Sequence, residues 1–181
     1  EGLEKLKAAE LRIGHNIIKF DDAVLAKVKD VQLDPYAVYD TLVMSRLIHS
    51  NINEADTIQR VPHGMQGSHS LEAWGYRLGK NKVQYNGGFD EWSRNMQDYC
   101  EGDIETNYHL YNKLKDADYS ETAVNLEHEL AVLIAKTERN GFPFNVQAAG
   151  ALYTKLASER DAIKRQLQNL FEPWTVVDKI F

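Results

Sequence analysis

Two hydrophobic patterns follow one another along the chain. From residue 1 to about residue 116, short apolar runs alternate with amphipathic stretches, as in LRIGHN (11–16) followed by FDDAVLAKV (20–28). Beyond about residue 125, apolar residues recur only at helical spacing, and the stripe of the last helix, which includes Leu156 and Ile163, is expected to pack in a core rather than to form a dimer seam. Alternating strands and helices are typical of α/β folds. The sequence therefore predicts an α/β part that ends at about residue 116 and an all-helical part that begins at about residue 125.

Local signals place the elements within these two parts. A strand that runs into a helix is predicted over residues 37–49, and a strand or turn is predicted at KVQYNGG (82–88). Residues 50–68 are polar and contain glycine, which predicts a flexible loop, and KDADYSETAVN (115–125) is a candidate linker. Helices are predicted over residues 70–79, with Ser70 as cap and Gly79 as stop, 91–114, 126–141, and from Asn145 to about 171.

Composition excludes several classes of protein. The formal net charge is −6, so overall charge does not attract the chain to nucleic acid. The longest apolar run, LAVLIA (130–135), is far shorter than the ~20 residues of a membrane span, so no membrane role is expected. The histidines lack zinc spacing, and the single cysteine, Cys100, has no partner cysteine and is expected to be a buried neutral thiol.

One stretch, YCEGDIET (99–106), carries three carboxylates within five positions. Tyr99 and Asp103 are four residues apart on a predicted helix, so their side chains share a face. Asp103 interrupts the apolar stripe of that face, which continues to Leu110 and Leu114. A carboxylate there needs an arginine, hydrogen bonds or a metal ion if it is buried. At the edge of the stripe it would simply be solvated, and spacing alone favours that simpler interpretation.

A second pair of polar residues lies in HNIIKFDD (15–22). Asn16 ends a predicted strand and Asp21 begins the next helix, and strand-to-helix junctions are where ligands gather in α/β folds. Asp21 and Asp22 also suit the positive end of a helix dipole, which explains them without any ligand. Two aspartates from separate elements could instead hold divalent cations about 4 Å apart for phosphodiester hydrolysis.

The same two stretches resemble the second and third exonuclease motifs of the family A DNA polymerases. HNIIKFDD resembles the Asn-x-x-x-Phe/Tyr-Asp pattern, and YCEGDIET resembles Tyr-x-x-x-Asp. The phrases DTLVMSRLIHSN, HSLEAWGYRLG and ERNGFPF are similar to the short-tailed-phage branch of that family. Order and spacing make the resemblance specific over roughly residues 10–170.

The resemblance implies a fold, a reaction and a set of roles. It implies a partial RNase H-like 3′–5′ exonuclease domain in residues 1–118, which lacks its opening strands, followed in residues 119–181 by the start of the polymerase domain, with the helices at the base of the thumb. Asp21 and Asp103 would bind metal, Tyr99 would orient the attacking water, and Asn16 would contact the frayed 3′ end. His15, beside Asn16, is a further candidate for substrate contact or for capping the strand end.

The first motif of the family, Asp-x-Glu on an opening strand, is not found in the sequence. DIE (103–105) has the right letters, but it lies where the third motif belongs. The chain therefore resembles an interior piece of a polymerase, with an unpaired sheet edge. We expect two Mg²⁺ or Mn²⁺ ions to bind only when the first motif is present, and the isolated chain to be inactive. The alternative is an inactive exonuclease-like domain that binds single-stranded DNA or braces the polymerase.

Partners and the remaining candidates follow from the same resemblance and composition. The implied partners are the 3′ end of single-stranded DNA, primer-template DNA and, in the parent protein, a processivity factor, and the expected location is the host cytoplasm. Trp74, Tyr76 and Trp92 are expected to pack in the core rather than to stack on bases. The last group, Arg77, Lys80 and Lys82, is expected to be a solvated basic surface.

Overall fold

The computed structural model describes residues 1–58, 61–80 and 85–171. The described chain is mostly helical and contains a two-stranded sheet. Its elements in chain order are α1 (Gly2–Ala8), β1 (Arg12–Gly14), α2 (Asp21–Lys29), β2 (Val38–Asp40), α3 (Thr41–Ile48), α4 (Ile52–Ile58), a 3₁₀ turn (His63–Met65), α5 (Leu71–Arg77), α6 (Arg94–Leu114), α7 (Glu121–Asn140) and α8 (Val146–Leu170).

The two strands are parallel, with Arg12 opposite Val38 and Gly14 opposite Asp40. Helix α2 lies between them in sequence, as a parallel pair requires, because its two strands cannot be joined by a tight turn. This arrangement is compatible with a partial α/β domain, and it confirms the predicted strand at 11–16 and the predicted strand-to-helix transition at 37–49. The RNase H-like assignment stays a prediction.

One apolar core lies between α3, α4, α5 and α6. Its buried side chains are Met44, Ile52, Trp74, Leu110 and Leu114. Leu110 and Leu114 come from the predicted stripe of α6, and their exposed fractions are 0% and 1%. The stripe was therefore correctly predicted at its carboxyl end, where α6 packs on α3 and α5.

A second core joins the sheet to α7. Ile17 and Ile18, from the loop after β1, pack with Val38 of β2 and Ala135 of α7. Helix α7 begins at Glu121, within the stretch predicted as a polar linker, so the connection between α6 and α7 is shorter than expected. The predicted linker was wrong at its carboxyl end, since residues 121–125 are helical.

Helix ends follow the signals in the sequence. The Ser70 hydroxyl accepts a hydrogen bond from the N–H of Ala73, and the Asn145 side chain accepts one from Ala148, so both predicted caps are confirmed. Gly79 follows the end of α5 with φ of 64°, a left-handed conformation that glycine adopts without steric cost. These interactions span at most three residues, and they can therefore be predicted from the local sequence.

The predicted loop at 50–68 is more ordered than expected. It contains α4 and the 3₁₀ turn, so the prediction of a flexible loop was wrong for those residues. The Asp56 carboxylate of α4 accepts two hydrogen bonds from Arg77, both at 2.7 Å, and one from the N–H of Gly67 at 2.8 Å. The predicted strand or turn at 82–88 lies outside the described residues over 82–84.

Four predictions about burial were wrong. Trp92 is 69% exposed and Tyr76 is 41% exposed, whereas Trp74 is buried as expected. Cys100 is exposed, because it lies on the outer side of α6. Arg77 is a buried partner of Asp56 and not part of a solvated basic surface, and Lys80 pairs with Glu105 at 3.0 Å. Lys82 lies outside the described residues.

The chain divides into two compact units, Glu1–Asn140 and Gly141–Phe181. This division by packing differs from the family-based boundary at 118/119, which stays a prediction about homologous domains. In the second unit, α8 has no buried residue. Its predicted apolar stripe, expected to be core, stays exposed in the described chain, with Leu156 53% and Ile163 57% exposed.

Candidate exonuclease site

The loop after β1 is organised by a buried carboxylate at the end of β2. Asp40 is 1% exposed, and it accepts hydrogen bonds from the N–H groups of Asn16 at 2.9 Å and Ile18 at 3.3 Å. Asn16 has φ of 62°, a left-handed conformation that asparagine tolerates better than most residues. Asp40 also caps α3 through the N–H of Leu42. One side chain therefore fixes the conformation of the segment that carries His15 and Asn16.

The residue after Asp40 links this loop to α6. The hydroxyl of Thr41 donates a 2.7 Å hydrogen bond to Oδ1 of Asn107, and it lies 3.0 Å from Nδ1 of His15. Thr41 is fully buried, so these contacts are shielded from water. The structure thus brings His15, at the end of β1, together with a side chain of α6.

This contact orients the α6 face that carries two predicted site residues. Tyr99, Asp103 and Asn107 follow one another at four-residue spacing, so their side chains share one face of the helix. Asp103 lies one helical turn, about 6 Å along the axis, from Asn107. Asp103 is partly buried, and one of its carboxylate oxygens is shielded from solvent.

Asp21 is the first residue of α2, and other carboxylates lie near it. Loss of hydration, followed by the negative charges of Asp22 and Asp40, raises the pKa of Asp21 above its ordinary value, although the N–H at its own position opposes the shift. The neighbouring Asp22 forms an ion pair instead, since its carboxylate lies 2.8 Å from the buried guanidinium of Arg12. Asp21 is thus a carboxylate whose charge is costly in this structure.

The other carboxylates of YCEGDIET have local partners. Glu105 pairs with Lys80 at 3.0 Å, and the hydrogen bond and charge of Lys80 lower the pKa of Glu105. Glu101 is exposed and accepts a hydrogen bond from Gln97, and Asp98 pairs with Arg94. Glu101, Glu105 and Asp98, which directly precedes the stretch, lie off the Tyr99–Asp103 face and are solvated or paired.

Burial also affects the candidate substrate-binding histidine. Loss of hydration lowers the pKa of His15, while the charge of Asp40 and the backbone of His69 oppose the shift. His15 is therefore neutral at pH 7, since its ordinary pKa already lies below that value. A groove next to the loop is lined mainly by apolar side chains, together with Asn16, Asp40, Arg46, Glu127 and Lys19. Lys19 is paired with Glu138 at 2.6 Å.

Carboxylates are suitable ligands for Mg²⁺ and Mn²⁺. The pKa of Asp21 is raised mainly by loss of hydration and then by the charges of Asp22 and Asp40, and a nearby cation would oppose both effects. The number of ligands is smaller than a metal pair requires. Among the described residues, no group of three or more histidine, cysteine, aspartate or glutamate side chains could hold a metal ion. The assignment of Asp21 and Asp103 as metal ligands stays a prediction, and it requires further carboxylates to complete the ligand set.

Comparison of the sequence with known proteins finds relatives of this chain. Two curated relatives are named DNA-directed DNA polymerase, one from Enterobacteria phage T3 and one from Escherichia phage T7. Each is 34% identical to this chain, and the matches cover 94% and 95% of it. The resemblance to the T7-type family A polymerases is confirmed over nearly the whole chain. The chain spans about a third of the length of these relatives, 31% and 32%, and no model of a protein family matches it.

The sequence motifs do not include four residues that hold the candidate site together, namely Asp40, Thr41, Asn107 and His128. Asp40 at the end of a strand, followed by Thr41, is a recognisable helix cap, and that signal was available. Asn107 lies four residues beyond Asp103 and could have been found from helical spacing. His128 carries no local signal, because its partner is the N–H of Asp40, 88 residues away.

Among the residues of this chain that the structure describes, no helix is long and apolar enough to cross a membrane.

Proposed function

We propose that this chain forms most of the 3′–5′ proofreading exonuclease of a phage-type DNA polymerase, together with the start of the polymerase domain. The observation that supports this most directly is the Thr41 hydrogen-bond network. It joins the Asn16 loop to the α6 face that carries Tyr99 and Asp103. These are the two segments that resemble the exonuclease motifs, and the hydrogen bond between Thr41 and Asn107 that links them joins residues 66 positions apart in sequence. The relationship to the T3 and T7 polymerases supports the same assignment.

The proposed reaction is hydrolysis of the terminal phosphodiester of single-stranded DNA. Asp21 and Asp103 contribute ligands for two divalent cations, which supply charge neutralisation and an activated water when bound. The hydroxyl of Tyr99 orients the water. Asn16 and His15 contact the 3′ end, and His15 does so as a neutral imidazole because burial lowers its pKa. Convergence of Asp21 and Asp103 is the geometric condition on which the reaction rests.

Selectivity for errors would come from the DNA itself. A mispaired primer end unstacks at lower cost than a paired one, so it reaches a site for single strands more often. In the parent protein this site would serve a primer-template polymerase, with a possible processivity factor, in the cytoplasm of the host. Residues 119–181 would then include the base of the polymerase thumb.

A second candidate function is an inactive exonuclease-like domain that binds single-stranded DNA or braces the polymerase. The observation that favours it is the small ligand set, since the described residues offer no cluster of three metal-binding side chains. In this case the Thr41 network would serve stability alone. The two candidates differ in whether the polymerase-length protein cleaves DNA.

The test is degradation of a 5′-labelled single-stranded oligonucleotide with Mg²⁺, measured on the polymerase-length protein and on the 181-residue chain. We expect the longer protein to shorten the strand from its 3′ end and the isolated chain to show little activity. Asp103→Asn should abolish cleavage, because it removes a proposed metal ligand, while the free energy of unfolding stays equal or rises.

Glu101→Gln is the matched control for this experiment. It makes the same change in charge two residues away, at an exposed side chain bonded to Gln97, and it should leave cleavage intact. Unchanged nuclease activity in Asp103→Asn would refute the proposed site. A polymerase-length protein that binds single-stranded DNA without cleaving it would support the second candidate.

A further inference from the structure

Three aromatic rings lie together at the amino-terminal end of α6. Ring centroids are 5.2 Å apart for Tyr85 and Phe89, 5.7 Å for Tyr85 and Tyr99, and 6.3 Å for Phe89 and Tyr99. We call Tyr85, Phe89 and Tyr99 the aromatic triad. Such edge-on and tilted pairs are favourable aromatic contacts, so the triad is a packed unit outside the two apolar cores.

The members of the triad differ in exposure. Tyr85 and Tyr99 are partly buried, whereas Phe89 is 67% exposed. Phe89 is thus supported by two rings while most of its surface remains in water. Exposed aromatic surface of this kind is what a base can cover on binding, because every base has an apolar π-face.

The loop that presents Phe89 has a defined conformation. The Tyr85 hydroxyl donates a short hydrogen bond to the carbonyl oxygen of Gly88. A Cβ atom at Gly87 would lie 2.5 Å from the Tyr85 hydroxyl and 2.6 Å from the adjacent ring carbon, so a larger residue there would require the Tyr85 ring to move. The chain therefore closes over Tyr85, and this closure sets the position of Phe89.

Charges around the triad favour contact with bases over contact with phosphates. Asp90 and Glu91 follow Phe89 and are exposed, and Arg94 is held by Asp98 at 2.9 Å. A phosphate gains little from such surroundings, since binding to phosphates depends on unpaired Lys and Arg side chains. Stacking on a neutral ring is compatible with them.

We propose that Phe89, supported by Tyr85 and Tyr99, stacks a base of the single-stranded DNA substrate. The proposal rests on the proposed function, because Tyr99 belongs both to the triad and to the exonuclease site. Phe89 then holds the strand beside Tyr99 and accepts any base. It is a substrate-positioning residue and takes no part in the chemistry.

The test measures binding of a fluorescein-labelled oligothymidylate of about eight nucleotides to the 181-residue chain by fluorescence anisotropy, with EDTA present to prevent cleavage. Phe89→Leu keeps an apolar side chain but removes the ring, and it should raise Kd at least about fivefold. Phe89→Trp restores a ring and should bind at least as tightly as the unmodified chain. Phe144→Leu is the matched control, since Phe144 is also 67% exposed, and it should not change Kd.

A second ligand separates bases from phosphates. An abasic oligonucleotide of the same length keeps the phosphates, so Phe89→Leu should not change its Kd. For the base-bearing strand, the fold-change caused by Phe89→Leu should be the same at about 50 mM and about 200 mM NaCl, because stacking does not release counterions. Equal losses for abasic and base-bearing strands would overturn the proposal, as would equal Kd values for Phe89→Leu and the unmodified chain, or no binding by the unmodified chain.

Failure of this proposal is distinguishable from failure of the exonuclease assignment. Asp103→Asn should retain base-dependent binding, because it leaves the aromatic triad intact. A Phe89-dependent Kd with normal cleavage in Asp103→Asn would refute the exonuclease site and leave the stacking surface standing. Cleavage that requires Asp103, together with a Kd that Phe89→Leu does not change, would support the exonuclease site and overturn the stacking proposal.

Discussion

At the residue scale, Asp40 determines more local structure than any of the motif residues. Its carboxylate accepts hydrogen bonds from the N–H groups of Asn16, Ile18 and Leu42. Its own N–H donates a 2.9 Å hydrogen bond to Nε2 of His128. Nδ1 of His128 lies 2.8 Å from the carbonyl oxygen of Val124 and must donate to it, since a carbonyl only accepts. His128 is therefore the neutral tautomer with its proton on Nδ1.

Asp21 gives the first stability prediction. Its raised pKa means that the folded state binds the proton more tightly than the unfolded chain does. The penalty for charging Asp21 is absent below its ordinary pKa of 3.8 and grows as pH rises through the raised value. We expect Asp21→Asn to raise the thermal midpoint at pH 7, without metal, and to lose that advantage near pH 3.

Thermal unfolding followed by circular dichroism between about pH 3 and pH 7 measures this difference. Asp30→Asn is a suitable control, because Asp30 is an exposed aspartate at the other end of α2. An advantage of Asp21→Asn that grows on acidification would contradict the argument.

Residue-level prediction succeeded where the partner is near in sequence. Ser70, Gly79 and Asn145 act within three residues, and each has the predicted role. Cys100 was misassigned because one residue carries no periodicity of its own, and which side of α6 faces water depends on tertiary packing. The convergence of Asp21 and Asp103 remains a prediction, because it depends on how α2 and α6 are placed.

At the element scale, α4 and α5 are joined by a buried ion pair. The side chains of Asp56 and Arg77 are 0% and 3% exposed, and Arg77 also lies over the ring of Trp74, 4.9 Å from its centroid. The hydrogen bonds from Arg77 lower the pKa of Asp56. The pair therefore contributes stability above pH 3.8, and this contribution is lost as pH falls through the lowered pKa.

Breaking this pair on one side should be costly. Asp56→Leu leaves a buried guanidinium without its carboxylate, and we expect the free energy of unfolding to fall by about 3–5 kcal/mol. The double variant Asp56→Leu with Arg77→Leu should recover most of the loss, since no uncompensated charge remains. Urea denaturation measures both, and a double variant as unstable as the single one would contradict this account.

The exposed pair of Lys80 and Glu105 provides the comparison for Asp56 and Arg77. Glu105→Gln should leave the urea midpoint nearly unchanged, because solvent screens that pair. Sequence reasoning treated Arg77 and Lys80 alike, as members of one basic surface. The two side chains differ in burial. Arg77 is buried by its contact with α4, and α4 lies in a stretch whose polar composition predicted a loop.

At the scale of the whole molecule, α7 completes the first compact unit. His128 and Ala135 are buried, the first against the N–H of Asp40 and the second against Ile17, Ile18 and Val38. The sequence predicted α7 as a helix but assigned it to the helical segment after residue 118. Composition and periodicity show where a helix is, and they do not show which partner its apolar side meets.

Truncation tests the role of α7. We expect a chain of residues 1–140 to unfold cooperatively, with a thermal midpoint within a few degrees of the full chain. A chain ending at residue 118 should lose cooperative unfolding, because it lacks His128 and Ala135. Circular dichroism and amide dispersion in NMR spectra measure both, and a cooperative transition in the shorter chain would contradict this view of the core.

The hydrogen bond between Asp40 and His128 also sets an order of events during synthesis. The first strands and α2 leave the ribosome well before His128 does, since 88 residues separate the bonded pair. Until then, Ile17, Ile18 and Val38 lack the apolar cover that Ala135 provides. The nascent chain thus passes through a stage in which apolar side chains of the sheet are exposed. During that stage, chaperone binding or aggregation competes with docking of α7.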